Sequence, residues 1–98
     1  MAQRRIPRPF NLLWGGGRIV EEASIEGGLH APSLQLMRYE TGEKAGQLAI
    51  RFAAYDPEGE LERRSLIINE RELRPLRKEL ERTPRLKALL RQLLEDDE

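Results

Sequence analysis

The sequence predicts an α+β domain, a four-stranded curved antiparallel sheet followed by a C-terminal kinked helix or helix pair in the order ββββα, assembled as a dimer. Three observations lead there. From Arg18 to about Ile68 the chain falls into short segments of alternating polarity separated by turns rich in glycine and proline, the period-2 pattern of strands. From Asn69 onward the period lengthens to that of a helix, with capping residues at the start and leucines at helical spacing. At 98 residues the chain has room for one domain with a modest core, so a dimer that shares hydrophobic surface is an attractive solution.

The elements follow in order. Residues 1–17 are expected to be a basic arm and an apolar anchor. Met1 to Pro9 carry two prolines and three arginines with little to bury, and Phe10, Leu12, Leu13 and Trp14 form a cluster that would pack on the domain. Gly15, Gly16 and Gly17 would then be a hinge into the first strand, since no P-loop lysine follows them. The first strand, Arg18 to Ile25, alternates imperfectly: Ile19, Ala23 and Ile25 fall on one side, Val20, Glu22 and Ser24 on the other. The second, Ser33 to Glu40, sets Leu34 and Leu36 against Gln35, Met37 and Tyr39. The third is the clearest, with Leu48, Ile50, Phe52 and Ala54 as the expected core face and Gln47, Ala49, Arg51, Ala53 and Tyr55 opposite. Asp56-Pro57-Glu58-Gly59 supplies a turn, and the fourth strand is expected from about Glu60 to Ile68.

Asn69 with Glu72 reads as a capping box opening a helix near Glu70, and Leu73, Leu76 and Leu80 continue it. Pro75 should kink that helix. Thr83-Pro84 is a second start signal, after which Leu86, Leu89, Leu90, Leu93 and Leu94 form an apolar stripe. The single domain spans 18–95, and 96–98 form an acidic tip.

Composition narrows the function classes. Lys plus Arg and Asp plus Glu both number 17, but the basic residues lead and the acidic ones trail. The absence of cysteine excludes disulfides and thiolate metal sites. With no secretory h-region or long apolar span, the expectation is a cytoplasmic protein without a membrane anchor. His30 is the lone histidine and Ser24, Ser33 and Ser65 have no evident partner, so no nucleophile, acid–base or metal set assembles; neither catalysis, a cofactor nor a metal is expected.

An amphipathic strand ending in D-P-E-G, a strand closing as S-L-I-I-N-E, and a helix opening as E-R-E-L-R-P-L resemble the superfamily of single-stranded-DNA-binding transcriptional regulators that includes positive cofactor four, the Whirly proteins and the Pur-alpha repeats. The likeness covers roughly Arg18 to Leu94. It implies a dimer held by its helices whose sheet faces bind single-stranded DNA or RNA, as a transcription or replication accessory factor.

Single-strand binding needs cations that track the backbone and flat side chains for stacking, each stacked base contributing about 1–3 kcal/mol. The sheet face opposite the expected core offers Tyr39, Gln47, Arg51 and Tyr55, with Arg64 nearby and Arg4, Arg5 and Arg8 in the arm. Leu86, Leu89, Leu90 and Leu93 would form the dimer interface. The alternative reading is a protein-interaction module on the same scaffold, without nucleic-acid activity.

Overall fold

The computed structural model describes residues 5–25, 31–62 and 65–95. Five antiparallel strands form one sheet in sequence order: β1 (Arg8–Leu12), β2 (Gly15–Ser24), β3 (Ala31–Tyr39), β4 (Leu48–Tyr55) and β5 (Leu66–Asn69). Short 3₁₀ turns at Glu70–Glu72 and Leu80–Arg82 flank α1 (Leu73–Glu79), and α2 (Pro84–Leu94) ends the tail. The α+β class and the order of sheet then helices agree with the sequence reading, with one strand more.

That extra strand comes from the segment expected to be arm and hinge. Arg8 to Leu12 pair with Ile19 back to Gly15, so Phe10 enters the core and the glycines become strand residues. They are there for close approach: a Cβ on Gly17 would overlap the Arg38 carbonyl, and one on Gly42, in the turn after β3, would overlap that of Trp14. The fourth expected strand is shorter than its pattern. Gly59 takes φ 88°, Asp56 accepts from the Glu60 N–H at 2.8 Å, and Leu61 makes only an isolated bridge to Tyr55 before β5 begins at Leu66.

The sheet curls. In a flat sheet β1 and β4 stand about 14 Å apart, yet Arg8 on β1 donates to Tyr55 Oη on β4 at 3.0 Å. Phe10 likewise meets Tyr39 of β3 edge to face, ring centroids 5.4 Å apart. Curling encloses the concave side, where Phe10, Ile19, Met37, Tyr39 and Ala49 form the core. This inverts the expected faces. Leu34, Leu36 and Ile50 lie on the convex side and are only partly covered, and Phe52 is exposed. Strict alternation identified two faces correctly but could not say which one the curvature would close over.

A bulge at Val20 explains the imperfect alternation of β2. Ile19 pairs with Met37 and Glu21 with Leu36, so Glu22, opposite Gln35, turns to the concave side. In the tail, the Asn69–Glu72 capping box forms, with the Asn69 N–H donating to Glu72 at 2.9 Å. Pro75 sits in the first turn of α1, where no intrahelical N–H is required, so the break falls at Leu80–Arg82 instead. Pro84 opens α2 as its first residue. Neither helix buries a residue.

Candidate functional site

The concave face divides into an apolar half and a polar half. Toward the β4 end, Arg8, Glu22, Ser33, Gln35, Arg51 and Tyr55 converge, each delivered by a different register position of β1 to β4. Glu22 is the hub. Its carboxylate takes the Arg8 guanidinium in a two-pronged contact at 2.8 and 3.1 Å, the Ser33 hydroxyl at 2.7 Å and the Gln35 amide at 2.9 Å. Burial alone would push this carboxyl up, but the hydrogen bonds from Arg8, Gln35 and Ser33 outweigh it and hold Glu22 at about 2. The same pairing raises Arg8 above its ordinary value.

Gln35 relays between charges. Its amide nitrogen donates to Glu22 and to Tyr55 Oη at 2.8 Å, while its oxygen accepts from Arg51 Nε at 2.6 Å. These bonds fix the amide orientation, since the oxygen faces the cation and the nitrogen faces the anion. On the apolar half, Trp14 Nε1 donates to Tyr39 Oη at 3.0 Å and seals the β1–β2 turn over the core.

The residues expected to present a stacking surface are therefore inside. Tyr39, Arg51 and Tyr55 are 1%, 6% and 6% exposed; the concave face they share is closed by the curl of the sheet rather than open to bases. Gln47 lies just before β4, partly buried, and its carbonyl accepts from the Tyr39 N–H at 3.0 Å. Arg8 is not a free cation of an arm but the partner of Glu22. Arg5 is exposed beside it, and Arg4 and Arg64 lie outside the described residues. Sequence reasoning missed Glu22 and Ser33, whose one signal was the irregular alternation that marks the bulge.

The convex face and the tail carry the other candidate surface. Phe52 and Leu66 on the sheet, Leu73 and Leu76 on α1, and Leu86, Leu89 and Leu93 on α2 are all exposed, while Leu90 is partly covered. Leu93 joins Ala23, Ile25, Leu34 and Phe52 in lining an open cleft of about 430 Å³. Among the described residues no helix is long and apolar enough to cross a membrane, and no group of three or more His, Cys, Asp or Glu side chains could hold a metal ion. No family model, curated protein or solved structure matches the chain.

Proposed function

We propose that the chain is a protein-interaction module whose partner is a second copy of itself, joined through the convex sheet face and the leucine faces of the helical tail. The observation that carries this is that the apolar side chains of that face and of both helices stay exposed in the single chain, Leu89 and Leu93 at 63% and 58%. Monomeric proteins seldom leave so continuous an apolar surface in water. A standard interface takes about 800 Å² from each partner, and a molecule measuring 36 × 35 × 25 Å has a broad face of sufficient size. The match of a surface to its own copy gives a closed two-fold pair. Sedimentation of the wild type over a dilution series, beside Leu89→Glu/Leu93→Glu, tests the reading: reversible dimerisation that weakens by at least about 30-fold in the variant, as for two lost hot-spot side chains, supports it, and a wild type that remains single at all concentrations removes it.

A second reading, a single-stranded nucleic-acid-binding accessory factor of transcription or replication, is favoured by Arg18 and Arg38. They are direct cross-strand partners, both exposed, and like charges so placed repel unless an anion lies between them. Arg18 has Glu40 at 3.4 Å, whereas Arg38 has no acidic partner among the described residues. A phosphate backbone would relieve both. In an anisotropy titration with labelled oligo-dT, Arg18→Ala/Arg38→Ala should flatten the salt slope by about 1.4, two phosphates at about 0.7 each on a single strand. Absence of binding at low salt retires this reading without touching the first.

A further inference from the structure

Arg51 holds a charge that its surroundings do not neutralise. Its side chain is almost fully enclosed, yet only Nε has a partner, the neutral Gln35 oxygen. Both terminal amino groups lack a hydrogen bond to any described residue. The one carboxylate in the network, Glu22, is already occupied by Arg8, Ser33 and Gln35. Two guanidinium groups thus share one carboxylate, and buried charge is ordinarily paired.

A second unsatisfied donor lies on the next strand. Arg51 is opposite Ile67, and Leu66 is opposite Phe52. Ser65 therefore comes next to Ala53, two residues from Ile67 and by alternation on the same concave side as Arg51. Its hydroxyl is buried without any hydrogen-bond partner. An unpaired guanidinium edge and an unpaired hydroxyl on neighbouring strands are complementary to one kind of group, a tetrahedral oxyanion that accepts a forked pair of N–H bonds and an O–H bond.

We propose that Arg51 and Ser65 form a binding site for a phosphate-type oxyanion on the concave face between β4 and β5. The ligand is a phosphoryl group, either free or carried on a phosphodiester chain, and the site stands whether or not the convex face pairs two copies. Gln35 is a positioning residue, holding the guanidinium by Nε so that its outer edge faces the ligand.

The test is a calorimetric titration of the full chain with inorganic phosphate at constant ionic strength, with sodium chloride as the matched control. The wild type should bind one phosphate per chain saturably, in the millimolar range or tighter. Ser65→Ala should keep the fold and weaken binding about 5-fold, as expected for one lost hydrogen bond to a charged group, and Arg51→Met should abolish it. If Arg51→Met fails to fold, Ser65→Ala alone still decides: unchanged phosphate affinity in that variant overturns the site, as does a wild-type response no larger than that to chloride. Displacement of bound phosphate by short oligo-dT assigns the ligand to a phosphodiester backbone, and its retention assigns it to free phosphate; either result supports the oxyanion site.

Discussion

Glu22 illustrates how one side chain ties the fold together. Its neighbours Ser33, Gln35 and Tyr55 are uncharged, so the low dielectric around it makes the Arg8 contact strong and the loss of either partner costly. Its folded pKa of about 2 lies below its ordinary value of 4.5. The contribution is therefore complete above that ordinary value and drains away as pH falls from there toward about 2, a difference on the order of 2–3 kcal/mol. Urea unfolding of the wild type should show that acid limb. Glu22→Gln should lower stability by about 3 kcal/mol at neutral pH and flatten the limb, because Arg8 and Arg51 are then both uncompensated at every pH. Parallel acid limbs in the two proteins would place the titration elsewhere. Trp14 makes a smaller point: Trp14→Phe removes the donor to Tyr39 while keeping most of the packing, and should cost about 1 kcal/mol in the same assay.

At the scale of elements, the glycines separate two kinds of constraint. Gly17 has an ordinary strand conformation, but a Cβ there would run into the backbone of β3; Gly46 has open space around it but a φ of 88°. Gly17→Ala should therefore cost about 3 kcal/mol or more, by forcing β2 away from β3, and Gly46→Ala only about 1 kcal/mol, the left-handed penalty. Equal melting temperatures for the two variants would contradict this distinction. The contrast also shows what the sequence discloses. Leu48 to Tyr55, the Asn69–Glu72 cap and the Thr83-Pro84 start are legible because each rests on local chemistry: alternation, a side chain within reach of its own turn, a fixed φ. The strand at Arg8–Leu12 is not, since Pro9 and the arginines disguise it and only pairing with β2 stabilises it. The placement of Tyr39, Arg51 and Tyr55 is illegible for a different reason. Alternation fixes which residues share a face, while the side that closes depends on curvature, which arises from the close glycine contacts and the Val20 bulge across three strands.

For the whole molecule, the curled sheet has satisfied its concave face internally and left its convex face and its helices without partners. The helical tail shows the same imbalance: Arg82–Glu79 at 2.9 Å and Lys87–Glu81 at 2.5 Å pair charges along its polar side, while the leucines opposite are exposed. Such surface pairs contribute little, and helices this short are marginal in water alone, so the tail depends on what covers its leucines. In a dimer the covering surface is the partner's convex face and tail. The most direct measurement is an isotope-filtered NOE experiment on a mixture of ¹³C-labelled and unlabelled chains. The account predicts intermolecular NOEs from the methyls of Leu89 and Leu93 to the Phe52 ring, to Leu34 or to the partner's own leucines. Only intramolecular NOEs from those methyls, in a sample whose relaxation reports a single chain, would contradict it.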